Sequence, residues 1–394
     1  MREMGNNSMH DGYRILCSFK LKKERFKEDL VLANNVYKKL TMLHVPRLHL
    51  GIKEEEGSHR IENEARNQDE EYFRSYADIS IHEEMLSDVV RTNAYRYAIL
   101  KNYEKIRGRV VADVGAGTAI LSAFCVQAGA KQVYAVEASN MADHAQSVVD
   151  ENKLTDRIKI VKKKAEDVVY PEKLDVIVSE WMGYCLFYES MLSSVIETRD
   201  KWLKQDGLMF PSSVILYIAA YTDEDYDARL DIWNDFKSMY KVSMESMKKC
   251  ARKCISRNVS VRCVSPLSIL SHGCPICCFD LKTVSIRDLQ NIKKQFKLEC
   301  FGESTIHGFI TWFTVTFPGE IILSTSPYTE ETHWGQTIFY LEDPFDVHQG
   351  TLISGEFSLC PNIYKSRFLD INISYRVDDG PETKKYYYMN DCIT

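Results

Sequence analysis

From about Tyr72 onward the apolar positions switch repeatedly between helical spacing and short unbroken runs. Tyr72, Phe73 and Tyr76 stand at helical spacing, and Ile81 to Arg91 reads as one amphipathic helix. Val110 to Val114 is an apolar run of strand length that Gly115-Ala116-Gly117 breaks. Ile120, Leu121, Phe124, Cys125 and Ala128 then recur as a helix face, with Gly129 as its stop. Val133 to Val136, Ile158 to Val161 and Leu174 to Val178 read as further strands, and Asn140 to Asn152 as a helix between the first two. This βαβαβ order predicts a parallel, doubly wound α/β sheet. After Pro211 the character changes. Val214 to Ala220 is strand-like, and Asp223 to Lys253 reads as a charged helix with Tyr226, Leu230, Trp233, Phe236 and Tyr240 along one side. Residues 305–380 read as successive strands punctuated by Pro318-Gly319, Ser326-Pro327 and Asp379-Gly380. The expectation is an α/β domain over 71–212, then an all-β domain over 213–394 carrying a helical insertion at about 223–253. Residues 51–71 are polar and acidic, so 1–70 reads as a flexible N-terminal extension.

Composition narrows the function. The net charge of -6 argues against a nucleic-acid binder that works through a large basic field, and it suits a basic substrate. No apolar run reaches the length of a membrane span, and the N-terminus lacks a signal-peptide core, so no membrane partner is expected. The twelve cysteines are expected as reduced thiols. Cys274-Pro275-Ile276-Cys277 has zinc-knuckle spacing, but no second pair stands at a usual distance and no metal is assigned. Lys162-Lys163-Lys164 reads as a solvated charge run.

Two motifs carry chemistry. The first is Asp113-Val114-Gly115-Ala116-Gly117-Thr118, a strand-to-helix loop whose glycines let the backbone approach a ligand. Glu137 ends the next strand, where it is placed to accept from both hydroxyls of a ribose. The loop is shorter than a dinucleotide fingerprint and has no P-loop lysine. A nucleoside without a pyrophosphate fits best, and S-adenosyl-L-methionine is the commonest such cofactor on this sheet; the bland reading is a tight turn beside a solvent-facing acid. The second motif is Ser179 to Met191, where Glu180 and Glu189 lie among Trp181, Tyr184, Phe187 and Tyr188. Two acids in apolar surroundings repel each other and resist burial unless a cation sits between them.

Together these segments resemble the type I protein arginine N-methyltransferases. The resemblance runs from Tyr72-Phe73-Arg74-Ser75-Tyr76 through the glycine loop, Val133 to Ser139 and the two-glutamate segment. It extends to Ser324-Thr325-Ser326-Pro327 and Thr332-His333-Trp334. It implies a Rossmann-like S-adenosylmethionine-dependent methyltransferase domain followed by a β-barrel-like domain with a helical dimerisation arm. By resemblance, Asp113, Gly115 and Gly117 would line the cofactor, with Glu137 on the ribose and Ala165 and Glu166 near the adenine. Arg91 would bind the methionine carboxylate, and Tyr72, Phe73 and Tyr76 would cover the cofactor. Glu180 and Glu189 would hold the substrate guanidinium, with His333 paired to Asp88 beside them. Met182, Tyr184 and Trp334 would line the substrate pocket, and Met85, at the cofactor, would help shape the space around the methyl acceptor. The same resemblance implies arginine-rich protein substrates such as histone tails, a homodimer, and a nuclear location with some cytoplasmic presence.

Three positions depart from the family pattern. Ala119 stands where a further glycine is usual, Val111-Ala112 replaces a larger residue before Asp113, and Gly335 follows Trp334 where lysine is common. The first, together with residues 1–70, which resemble nothing in the family, motivates a rival reading: a catalytically impaired scaffold that binds arginine-rich partners. A small-molecule methyltransferase fits less well, since a second all-β domain and an acidic pair suit an extended cationic peptide.

Overall fold

A computed structural model describes residues 68–391 and 393. The chain divides into two units, Met1–Gly57 and Ser58–Thr394, and every described residue belongs to the second. The extension expected at 1–70 therefore lies almost entirely outside the described residues. Its end is corrected: Gln68, Asp69 and Glu70 belong to helix α1, which runs over 68–75 and continues through Tyr72.

The first layer is a five-stranded parallel sheet: β1 (Val110–Val114), β2 (Gln132–Val136), β3 (Ile158–Val161), β4 (Leu174–Val178) and β5 (Leu203–Phe210), in spatial order β3-β2-β1-β4-β5. β1 is buried along its whole length, as expected of a central strand covered on both faces. The order reverses between β1 and β4, so their carboxyl ends open the crevice where such sheets bind ligands. β1 ends at the glycine loop, β2 at Glu137 and β4 at Glu180.

The helix expected over Ile81 to Arg91 is two helices, α2 (Ile79–Ser87) and α3 (Val89–Lys101). Asp88 separates them because its side chain offers the backbone a better partner than a continued helix. Its Oδ1 accepts from the Arg91 N–H at 2.8 Å, an N-cap on α3. The remaining helices on the sheet are α4 (Ile120–Gln127), α5 (Met141–Glu151) and α6 (Leu192–Trp202).

The second domain is antiparallel. Strands β6 (Ser213–Tyr221), β7 (Val259–Arg262), β8 (Cys274–Asp280), β10 (Ser304–Phe317) and β12 (Gln336–Val347) build one sheet, with β11 (Ile321–Ser324) on β10. Strands β9 (Ile292–Glu299), β13 (Leu352–Pro361), β14 (Leu369–Val377) and β15 (Thr383–Met389) build the other. The insertion is a pair of helices rather than one. α7 (Tyr226–Tyr240) ends at Lys241, which takes a left-handed φ of 60°, and α8 (Lys248–Arg257) returns beside it with Lys248 paired to Asp231 at 2.7 Å. Cys274 to Cys277 lies along β8, an extended strand rather than the tight turn a zinc knuckle needs. Among the described residues no group of three or more His, Cys, Asp or Glu gathers as metal ligands. No helix there is long and apolar enough to cross a membrane.

Ala119 precedes α4 at φ 65° and is buried. A left-handed alanine costs roughly 1–2 kcal/mol. Its buried methyl returns about 0.8 kcal/mol, and it spares the roughly 0.4–1 kcal/mol of extra unfolded-chain entropy a glycine would carry. The two sides nearly cancel. Ala119→Gly is therefore expected to move the thermal midpoint by no more than about 4 °C and to leave cofactor affinity unchanged. A tenfold change in that affinity, read by calorimetric titration, would place the methyl group in the cofactor's path.

Candidate active site

The crevice at the sheet's carboxyl end deepens into a cavity of about 460 Å³, the size of a small-molecule site. Every site residue expected from the sequence lines it except Asp88 and Asp113. Ala119 does not line it either, so the alanine bears on backbone conformation rather than on ligand space.

One wall is the glycine loop. Gly115 and Gly117 take φ of 73° and 52°. A Cβ on Gly117 would meet the His82 ring at 3.0 Å, so glycine is the residue that fits the turn beneath α2. The Gly117 N–H donates to Glu137 Oε2 at 2.9 Å, and the Ser139 N–H donates to Oε1 at 2.8 Å. A carboxylate offers about four acceptor sites, so two remain for the hydroxyls of a ribose. Asp113 is corrected. It is fully buried behind the loop, where Ser122 Oγ donates to Oδ2 at 2.7 Å and Oδ1 lacks a hydrogen-bond partner among the described residues. Burial raises its pKa to about 6, with the Ser122 hydrogen bonds opposing. Its role is to brace β1 against α4.

Ala165 and Glu166 form a short turn after β3, and Ser194 Oγ donates to Glu166 Oε1 from α6. Over the cavity lies α1. Tyr72 and Tyr76 are packed ring against ring at 4.6 Å, and burial pushes both phenols up. The lysine run is exposed, as expected, and Lys163 and Lys164 also border the cavity. Lys164 Nζ reaches Asp69 at 2.6 Å and lies over the Phe73 ring.

Opposite stands the two-glutamate segment. Arg91 donates from Nε and Nη2 to Glu180 Oε2, both at 3.1 Å, and from Nη1 to the Met85 carbonyl at 3.0 Å. Three of its five N–H groups are thus used, leaving two for a ligand carboxylate. The Met182 N–H donates to Glu180 Oε1 at 3.2 Å, so Glu180 keeps about one acceptor site. Its grip on Arg91 also shows that Glu180 accepts a guanidinium edge. Glu189 is less engaged. Burial raises its pKa, Asp391 adds to the rise, and Arg367 offsets it.

The hairpin joining the two acids is strained. Gly183 pairs with Leu186, and a Cβ on Gly183 would sit 1.6 Å from the Tyr188 carbonyl oxygen. Cys185, Leu186 and Glu189 take φ of 48°, 67° and 54°. Such backbone persists where the surroundings over-determine it, and here the β domain supplies them. Thr337 Oγ1 accepts from the Cys185 N–H at 3.0 Å, and Trp334 Nε1–H donates to the Met182 carbonyl at 3.1 Å. The Glu189 N–H donates to the Arg367 carbonyl at 2.8 Å. The His333 N–H donates to Asp88 Oδ2 at 3.0 Å, and His333 Nδ1 lies 2.7 Å from the same oxygen. Burial works to raise the Asp88 pKa, but hydrogen bonds from His333 and from the Arg91 N–H outweigh it and hold the carboxyl low. Gly335 follows at φ 49°, with room for no Cβ against the Arg262 backbone at 2.8 Å, which excludes an unstrained lysine there. Tyr184 lines the cavity beside Glu84 and Glu189, and burial is the main cause of its raised pKa. Arg367, Asp69, Lys164 and His82 were missed as site residues. Nothing in their spacing marks them, because they arrive from separate elements.

Glycine loop, ribose acid, free guanidinium edges and an acidic pocket together define an S-adenosylmethionine-dependent methyltransferase. Residues 212–380 match the arginine methyltransferase oligomerization subdomain, and residues 92–235 match the ribosomal protein L11 methyltransferase family. Protein arginine N-methyltransferase 6 of Danio rerio is 49% identical over 324 residues, 81% of this chain and 93% of that protein. Protein arginine N-methyltransferase 1 of Caenorhabditis elegans is 43% identical, covering 77% and 87%. The solved Trypanosoma brucei PRMT1 enzyme–prozyme heterotetramer with AdoHcy superposes with a TM-score of 0.73 at 33% identity, covering 80% of this chain and all of that one. A PRMT6–SAH crystal structure superposes at 0.64 with 26% identity, covering 76% and 100%. The chain belongs to the protein arginine N-methyltransferase family, and its cofactor is S-adenosyl-L-methionine.

Glu189 has a stability consequence. A carboxyl whose folded pKa is raised above its ordinary 4.5 destabilises the fold as pH climbs from that value through the folded one. Glu189→Gln is expected to melt higher than wild type at pH 7.5, the gain fading below pH ~4.5, while methyl transfer falls by at least about a hundredfold. A lower melting point at pH 7.5 would overturn the assignment of strain to this carboxylate.

Proposed function

We propose that the protein is a type I arginine methyltransferase, placing one and then two methyl groups on a single terminal nitrogen of arginines in basic segments such as histone tails. The carrying observation is the acidic pair opposite the cofactor wall in one cavity. A substrate guanidinium stays protonated, and the cofactor when bound supplies a cationic sulfonium methyl group. Two such charges 4 Å apart repel by about 4 kcal/mol near a protein surface. Glu180 and Glu189 offset that repulsion and fix the guanidinium plane with charge-assisted hydrogen bonds.

The two acids divide the work. Glu180 is already committed to Arg91 and the Met182 N–H, so it orients. Glu189 retains acceptor capacity and has the raised proton affinity that burial confers, so it takes the proton released as the nitrogen is alkylated. His333 is held by Asp88 and packed at a tilt against Trp334, ring centroids 4.0 Å apart, which makes it a wall of the pocket. The rival scaffold reading loses one of its two motives, since Ala119 lies off the cavity, while the N-terminal extension lies almost entirely outside the described residues.

The α7–α8 pair supports a homodimer. Ile232, Met239 and Tyr240 of α7 and Val242, Met244 and Met247 after it are exposed apolar side chains within the oligomerization subdomain match. A nuclear location follows from histone substrates and is tested by imaging a tagged chain.

Incubation with labelled S-adenosylmethionine and a histone mixture is expected to label histones with wild type and to leave Glu180→Gln at background. Mass spectrometry of the product is expected to find asymmetric dimethylarginine. Equal labelling by both proteins would sink the catalytic reading, and symmetric product would sink the type I reading.

A further inference from the structure

We propose that Arg367 is a positioning residue that latches helix α1 over the cofactor cavity and ties this latch to the substrate carboxylate Glu189. Arg367 stands on the connection between β13 and β14, in the other domain from both elements it touches. Its Nε and Nη2 donate to Asp69 Oδ1 at 3.0 and 2.9 Å, and its guanidinium carbon lies 3.6 Å from the Tyr72 ring centroid. The planar fork thus grips a carboxylate with its edge while its face covers an aromatic ring of the cavity lid, which a lysine cannot do. Its backbone joins in: the Arg367 N–H donates to Gln68 Oε1 at 3.2 Å, and its carbonyl accepts the Glu189 N–H at 2.8 Å. The connection is itself ordered, because Asn362 Oδ1 takes the N–H groups of Tyr364 and Lys365 and the Asn362 amide donates to Asp370. Lys164 fastens the other oxygen of Asp69 from the sheet domain.

One residue therefore sets two properties. Closing α1 holds Tyr72 and Tyr76 over the cofactor, while the Arg367 charge faces Glu189. The other ionisable groups around Glu189 are Asp391 and the phenols of Tyr72, Tyr76, Tyr184 and Tyr188. Arg367 is the cation among them, and it favours the ionised carboxylate. Asp69 faces the latch and is not among the groups that bear on Glu189.

The test compares Arg367→Ala, Arg367→Lys and Asp69→Asn with wild type in the full chain. Calorimetric titration with S-adenosylmethionine should show about tenfold weaker binding for Arg367→Ala and Asp69→Asn. Hydrogen exchange of the cofactor-free proteins should be faster in residues 68–76 for the same two. The acid limb of kcat/KM should move to higher pH in Arg367→Ala and stay in place in Asp69→Asn. Arg367→Lys should keep the limb and lose part of the affinity. Cofactor binding within twofold of wild type in Arg367→Ala, with unchanged exchange, would overturn the latch. Equal shifts of the acid limb in Arg367→Ala and Asp69→Asn would overturn the link to Glu189. The inference rests on the methyltransferase reading, but the binding and exchange measurements use no substrate. An inactive wild type would defeat that reading while leaving the latch decided.

Discussion

The strained turn from Gly183 to Glu189 is the constraint on which the rest of the site depends. Three non-glycine residues there take left-handed backbone; Glu189 ends the turn and Glu180 lies three residues before it. A sheet edge left to itself would relax such a turn. It persists because the second domain fills the hydrogen bonds that fix it, through Thr337, Trp334 and the Arg367 carbonyl. The β domain is thus part of the active site as well as a flank for substrate. The same contacts explain why Trp334 and His333 lie where they do, since one holds the hairpin and the other holds the break between α2 and α3.

Charge follows a parallel logic. Each glutamate of the pair has an arginine of this chain beside it, Arg91 at Glu180 and Arg367 near Glu189. Near Glu189 the Arg367 charge opposes the rise in proton affinity that burial causes, and so favours the ionised form that draws a guanidinium. With Arg91 bonded directly and Arg367 acting mainly through space, one acid is committed and the other stays receptive. The unequal pairing gives two identical side chains different surroundings, which is what the proposed division of labour rests on.

Much of this was legible in the residues. The strands β1 to β4 announce themselves by mostly apolar runs, and the glycine loop, Glu137 and Glu180 fall just beyond the carboxyl ends of β1, β2 and β4. The misreadings share one cause, a local pattern overridden by a specific side-chain hydrogen bond. Asp88 looks like one more polar position on a continuous helix, yet its side chain caps a second helix and splits the expected one, while its pairing with His333 is as the resemblance implied. Asp113 looks like a ligand residue by its place in the loop, yet strand alternation turns it toward Ser122. Lys164 is solvated as its basic run suggests, but its pairing with Asp69 is not visible along the chain.

What the sequence by itself determined is the parallel sheet, the cofactor's recognition chemistry and the presence of two acids awaiting a cation. Periodicity and turn residues are properties of neighbouring positions, and they specify local backbone and its ligand-facing ends. What only the tertiary structure decided is how those acids differ. The separation of Glu180 from Glu189 in role rests on which arginine reaches each, and on burial that many elements create together. Arg367 and Asp69 are 298 residues apart, and no pattern along the chain announces that they meet.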